Sequence, residues 1–250
     1  MIYLKTKEEI KKMAKAGEIA ATAMEEIAKN IQAGVKTSDL DKIAEEKIKT
    51  LGAEPSFKKV RDYKYSTCIT PNDLVVHGIP GNYILREGDV LGVDLGAYCE
   101  GFHSDTAHTF PVGKVSEERK KFLLVGEKAL AEAIKKVRVG GRIGDISATI
   151  QKIVEEAGYS VVRELAGHGV GRDLHEDPLV PGRGKRDSGE DIRQGMVLAI
   201  EVIYNMGKPS IKLLPDGWSI ATSDGSLSGL FESTVAATEK EPFVLTKVAA

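Results

Sequence analysis

The chain has 250 residues and only two cysteines, Cys68 and Cys99. They form no CxxC pair and no framework, which excludes a disulfide scaffold and fits free thiols in a reducing cytosol. No apolar run approaches the roughly 20 residues needed to span a bilayer, so a membrane helix is excluded. The opening Met1-Ile-Tyr-Leu-Lys-Thr-Lys7 lacks an apolar h-region, so no signal peptide is expected and the expected location is cytoplasmic. Neither charge sign dominates. Lys and Arg number 35 against 37 Asp and Glu, a net charge of -2, which excludes a strong nucleic-acid footprint. There is no low-complexity segment. Pro181–Gly189 reads as an exposed loop, and its Gly-x-Gly-Lys pattern lacks both the Walker spacing and a preceding strand, so it is no phosphate site. With 42% hydrophobic residues, what remains is a globular chain forming one large domain or two fused halves.

Within that chain an eight-residue pattern occurs twice. Gly88-Asp-Val-Leu-Gly-Val-Asp94-Leu95 matches Gly195-Met-Val-Leu-Ala-Ile-Glu201-Val202 at an offset of 107. Each apolar run holds one acid at the same place, Asp94 against Glu201. An acid in a buried strand is costly unless it is paired or binds a metal. Meeting that cost twice points to one site built from two copies of a half. The repeat extends upstream: Gly34 and Asp39 fall on Gly140 and Asp145, and Gly52 on Gly158. Each copy reads as a long helix, a Gly turn, a shorter helix, then strands. The first helix starts at Thr6 with Glu9 three residues on, a capping box. Its apolar stripe runs Ile10, Met13, Gly17, Ala20, Met24, Ile27. The others are expected from about Thr37 to Leu51, from near Ser116, and from about Asp145 to Gly158, with glycine suiting the ends of the second and fourth.

The repeated strands also supply a chemistry. Asp105, before Thr106, and Glu232, before Ser233-Thr234, follow the two runs, so the halves offer four acids: Asp94, Asp105, Glu201 and Glu232. Gathered without cations they would repel and stay largely protonated. Two divalent ions remove that problem. His168, between Gly167 and Gly169, adds an imidazole. The oxygen-rich set suits Mn, Fe, Co or Zn, and two such ions together activate a hydroxide nucleophile. Of five histidines, His77 and His175 share a frame, His77-Gly-Ile-Pro80 and His175-Glu-Asp-Pro178, and are expected at the site as hydrogen-bond donors or proton shuttles. His108 is expected on the strand face opposite Asp105, and His103 on the same face, as support at best.

The series Asn72–Pro80, Asp94, Gly101–Thr106, Gly167–Pro178, Ile200-Glu201 and Ser226–Glu232 resembles the type I methionine aminopeptidases, in order and over nearly the whole chain. The resemblance implies the α+β pita-bread fold: two pseudo-twofold-related α/β halves share an antiparallel sheet, with helices on one face. That makes residues 1–250 a single catalytic domain with halves of about 1–115 and 116–250. It also implies roles. Asp94 chelates one ion, Asp105 and Glu232 bridge both, and His168 and Glu201 complete the other. His77, His175 and Glu201 are the catalytic groups. Tyr63, Cys68 and Trp218 surround a methionine pocket, with Leu174 where the family has Phe; Tyr65 is the alternative to Tyr63. Val202 and Ser233 are two further departures, and none removes a ligand. The implied activity is removal of methionine from nascent polypeptide N-termini whose second residue is small, by a monomer. The basic cluster Lys58, Lys59, Arg61, Lys64 reads as a solvated loop before it reads as a ribosome-facing surface. Two alternatives stand beside this: an X-Pro peptidase of the same fold, which generally carries an extra N-terminal domain, and a non-catalytic pita-bread binding module, which would have lost ligands.

Overall fold

The computed structural model describes residues 1–247. Helix α1 spans Lys7–Asn30. Thr6 caps it: its hydroxyl accepts the Glu9 N–H, and the Glu9 carboxylate accepts the Thr6 N–H. Helix α2 spans Thr37–Thr50 and packs on α1. Beyond it Gly52 takes the left-handed conformation that glycine adopts without steric cost, at φ 80°. Helix α3, Glu117–Ile134, is capped by Ser116. Helix α4, Ile143–Glu156, starts two residues before Asp145, because Asp145 is the acid of its first turn and accepts the Arg142 N–H.

Seven strands form the path of the main sheet: β1 Thr67–Pro71, β2 Val90–Leu95, β3 Thr106–Pro111, β4 Ala166–Gly169, β5 Glu176–Pro181, β6 Val197–Asn205 and β7 Ser228–Ala236. Their spatial order is β5-β4-β6-β7-β3-β2-β1, every pairing antiparallel. Strands from residues before 115 occupy one side of the β7–β3 seam, and strands from later residues the other. Two short strands, Ser160–Val161 and Phe243–Val244, add to β6 and β7.

Two cores follow the same division. One joins α1 and α2 to Leu91, Val93 and Leu95 of β2. The other joins α3 and α4 to Leu198, Ile200 and Val202 of β6 and to Phe231 of β7. Strand side chains alternate between faces. The intervening residues Asp94, Glu201 and Glu232 therefore turn to the face away from these helices. That face is covered too: its Ala107, Ile203 and Leu230 are buried together with Val75, Val76 and Val162. Burial on both faces is why these runs read as nearly continuous apolar sequence. Among the described residues no helix is long and apolar enough to cross a membrane.

One contact between α3 and the sheet is close. A methyl group on Gly126 would lie 2.3 Å from the Phe231 ring and 2.7 Å from the Tyr204 hydroxyl, which itself donates to the Phe122 carbonyl. In an open helix Gly→Ala gains about 1 kcal/mol. Here overpacking reverses the sign, so Gly126→Ala is expected to lose about 1–3 kcal/mol. A urea melt checks this, and an unchanged or raised midpoint contradicts the packing.

Candidate metal centre and its pocket

Four adjacent central strands bring the acids together. In register, Asp94 of β2 faces Ala107 of β3, Ala107 faces Glu232 of β7, and Glu232 faces Glu201 of β6. Beyond β6, His168 of β4 faces Ala199, two residues from Glu201 on the same strand face. Asp105 lies just before β3, two residues from Ala107. Ala107, not Asp105, is thus the residue in register with Glu232. Strand alternation still gives Asp105 and Ala107 one face, so the acid reaches the same place.

The site is buried, and three of its carboxylate oxygens lack partners. Asp94 Oδ1, Asp105 Oδ1 and Glu232 Oε1 are buried without a hydrogen bond. His168 Nδ1 is 2.8 Å from the Gly169 carbonyl. A carbonyl only accepts, so Nδ1 is assigned the proton and Nε2 presents a lone pair. Nε2 lies 3.5 Å from Glu201 Oε1 and 3.8 Å from Asp105 Oδ2. These are not ion pairs, because burial and the neighbouring His175 lower the His168 pKa to about 4. They are also too long for hydrogen bonds. Lone pairs facing each other at such distances suit ligands around a cation with bonds of about 2.0–2.2 Å. Atoms of Asp105, His168 and Glu232 all lie within 4.8 Å of one another.

Burial pushes all four carboxyls above the ordinary range. Asp105 is raised further by Asp94 and Glu201, Glu201 by Asp94, and Glu232 by Asp105. Such a set is unfavourable as bare anions and favourable around divalent charge. The residues therefore fit a divalent metal site.

The acids line one end of a cavity of about 160 Å³, room for a side chain and not for a folded segment. The other end is apolar. Tyr63, Cys68 and Leu174 are buried together with Phe57, and Trp218 packs against them. Cys68 pairs in register with Asp94, which joins the two ends. Tyr63 donates to the Thr67 carbonyl at 2.8 Å, lies 3.2 Å from Cys68 Sγ, and meets the Trp218 ring edge-on at 4.9 Å. Tyr65 meets the Tyr63 ring edge-on at 5.7 Å and does not line the cavity. Asp41 of α2 fixes this wall, accepting the N–H groups of Ser66 and Thr67 and the Thr67 hydroxyl. Asp216 accepts the N–H groups of Trp218 and Ser219, holding the indole at the end of its turn.

His77 and His175 line the same cavity. The His175 ring is 4.4 Å from that of His168. Burial lowers both pKa values, with His175 adding to the shift at His77. At neutral pH both are neutral rings, each with one donor and one acceptor. His103 lies outside the cavity, with Nδ1 2.9 Å from the Ser56 hydroxyl and its ring tilted against Tyr98. It sits in a separate three-stranded sheet, so its spacing to Asp105 carries no shared face. His108 does take the opposite face, against Phe110 and Phe231. Phe57, Val60, Val76 and Leu230 also line the cavity. Leu230 is two residues before Glu232 on one strand, and that period marks it. Phe57 and Val60 sit on a short 3-10 turn whose position no local pattern reveals. The basic cluster is largely neutralised on its own surface: Lys58 pairs with Glu45 at 2.6 Å, Lys59 with Glu54 at 3.2 Å and Arg61 with Asp62 at 3.6 Å.

Comparison with known proteins agrees with this geometry. The family described as Metallopeptidase family M24 matches residues 11–239. The methionine aminopeptidase of Clostridium perfringens is 45% identical over 248 residues, covering 99% of this chain and 100% of that one. A crystal structure of methionine aminopeptidase from Thermotoga maritima is similar with TM-score 0.97 at 42% identity, covering 99% of this chain and 100% of that one. Prolidase from Pyrococcus furiosus shares the fold with TM-score 0.81 at 25% identity, and this chain covers 66% of it. Likeness in sequence and in structure thus runs the length of the chain and favours one branch over the X-Pro one. On these grounds the chain belongs to metallopeptidase family M24, with its pita-bread fold, and to the methionine aminopeptidases within it.

Proposed function

We propose that the protein removes N-terminal methionine from polypeptides whose second residue is small, using two divalent ions. The observation that carries this reading is the joining of a buried carboxylate–imidazole cluster to an apolar wall within one cavity of about 160 Å³. Asp94, Asp105, His168, Glu201 and Glu232 would hold the ions. Manganese, cobalt, iron or zinc suits such a donor set. Once bound, the ions supply Lewis acidity and a water activated at neutral pH.

The remaining chemistry belongs to the side chains. The apolar pocket takes the thioether among Tyr63, Cys68, Leu174 and Trp218, where sulfur meets aromatic edges favourably. That seats the first residue with its carbonyl at the acidic end. Glu201, its carboxyl raised by burial, takes the proton of the attacking water and passes it to the departing amine. His175, neutral, donates a hydrogen bond to the carbonyl oxygen as that oxygen gains charge. His77 orients the scissile amide. Nascent chains in the cytosol are the proposed substrates, and two buried free cysteines suit that reducing compartment.

His175→Ala tests the division between ligands and hydrogen-bond donors. It is expected to retain its metal and lose about 10²–10³ in kcat, the usual effect of one lost oxyanion donor, with KM little changed. Metal analysis and steady-state kinetics on a Met–Ala peptide check it. Loss of metal would make His175 a ligand instead.

A further inference from the structure

Leu174 and His175 reach the cavity from an irregular segment, residues 171–175, between β4 and β5. A buried charge holds that segment. Lys5 Nζ lies 2.5 Å from Glu176 Oε2, and the two side chains are only 5% and 3% exposed. The other carboxylate oxygen, Oε1, accepts the N–H groups of Arg172 at 2.8 Å and Asp173 at 3.3 Å. One carboxylate thus joins the start of the chain to the turn that presents Leu174 and His175. Lys5 is fixed in its own right: its N–H donates to the Gly195 carbonyl at 2.7 Å, in the turn that leads into β6 and Glu201. Gly171 crosses the pair at contact distance, since a methyl there would lie 2.5 Å from both Glu176 Oε1 and Lys5 Cε. On the other side, the His103 N–H donates to the Gly171 carbonyl at 2.7 Å.

A buried ion pair is weak support for stability, because desolvation offsets most of the attraction. This one does something a pair of packed apolar side chains would not. It presents charged acceptors at defined angles to a turn that has no ladder of its own. We propose that Lys5 is a positioning residue for the reaction: acting through Glu176, it sets the 172–176 turn and holds the His175 imidazole where the substrate carbonyl oxygen gains charge. The inference rests on the role given to His175 above. A misplacement of about 1 Å is enough to cost on the order of 10²-fold in rate.

A double-mutant cycle tests it. Lys5→Met, Lys5→Arg, His175→Ala and Lys5→Met/His175→Ala are assayed on a Met–Ala peptide at saturating metal, with metal content and thermal melts recorded for each. Lys5→Met is expected to lower kcat roughly 10–100-fold with KM and metal content near those of the parent. Lys5→Arg should restore most of the rate. In the His175→Ala background, Lys5→Met should cost less than about threefold, because the group it positions is gone. Additive losses in the double variant overturn the inference, as does a rise in KM with kcat unchanged. If His175→Ala alone leaves kcat intact, the role of His175 fails first and the inference falls with it. Should Lys5→Met not fold, Gly171→Ala takes its place in the same cycle, since its methyl displaces the pair without removing either charge.

Discussion

A chelator is expected to abolish methionine release, and manganese, cobalt or Fe(II) to restore it. The reason lies in three buried carboxylate oxygens with no partner and in an imidazole lone pair facing two carboxylates at 3.5 and 3.8 Å. Stability should follow. Burial raises all four carboxyls, so above the ordinary carboxylate range the native metal-free protein binds more protons than the unfolded chain. Stability of that form therefore falls as pH rises through and beyond that range. Divalent metal opposes the loss, because it replaces the protons. At 100 times its dissociation constant a bound ion adds about 2.7 kcal/mol, or roughly 5–10 °C for a chain of this size. Thermal melts at pH 5 and pH 8, with and without metal, check this. The stabilisation should be larger at pH 8; equal stabilisation at both would sink it. Asp105→Ala should lose more metal than Asp94→Ala, because Asp105 stands in the compact group with His168 and Glu232, and Asp94 does not. Full activity in protein shown to be metal-free would overturn the whole reading.

Specificity is the second large effect. Met–Ala should be cleaved far faster than Leu–Ala. The pocket wall formed by Phe57, Tyr63, Cys68 and Leu174 is apolar and buried. Leucine branches at Cγ and overpacks a slot that takes an unbranched chain. A cost of about 1–3 kcal/mol corresponds to roughly 10–200-fold in kcat/KM. Met–Lys should be rejected, whereas Gly, Ala, Ser, Thr, Pro or Val at the second position should be accepted. An X-Pro enzyme gives the reverse pattern, indifferent to the first residue and strict for proline at the second. Kinetics on Met–Ala, Leu–Ala, Met–Lys and Leu–Pro separate the two. Faster cleavage of Leu–Pro than of Met–Ala would overturn the substrate assignment and leave the metal centre standing. Similar rates on Met–Ala and Leu–Ala would implicate only the pocket, with Leu174 the first residue to exchange for Phe.

Much of this architecture is local and therefore legible in the chain. Thr6 with Glu9, and Ser116, mark helix starts because a side-chain oxygen there satisfies backbone N–H groups that the helix leaves open. Gly52 and Gly158 mark helix ends because both take positive φ. Asp94 and Glu201 stand out because an acid inside an apolar strand needs a reason. These features depend on neighbours within a few residues along the chain.

Other features depend on which strand lies beside which, and local chemistry does not set that. Ala107, not Asp105, stands in register opposite both Asp94 and Glu232, so Asp105 reaches the site from just before its strand. His103 stands two residues from Asp105 yet belongs to a different sheet. Cys68 meets the acids only because β1 pairs with β2 in one register, and a one-residue slip would turn it to the other face. Lys5 meets Glu176 across 171 residues. The sequence by itself thus determined the helices, the doubled strand with its acid, and the donor set, since backbone geometry and the cost of burying charge are paid residue by residue. Only the tertiary structure decided which wall each pocket residue joins and what holds His175 in place, since strand order and register are properties of the packed sheet.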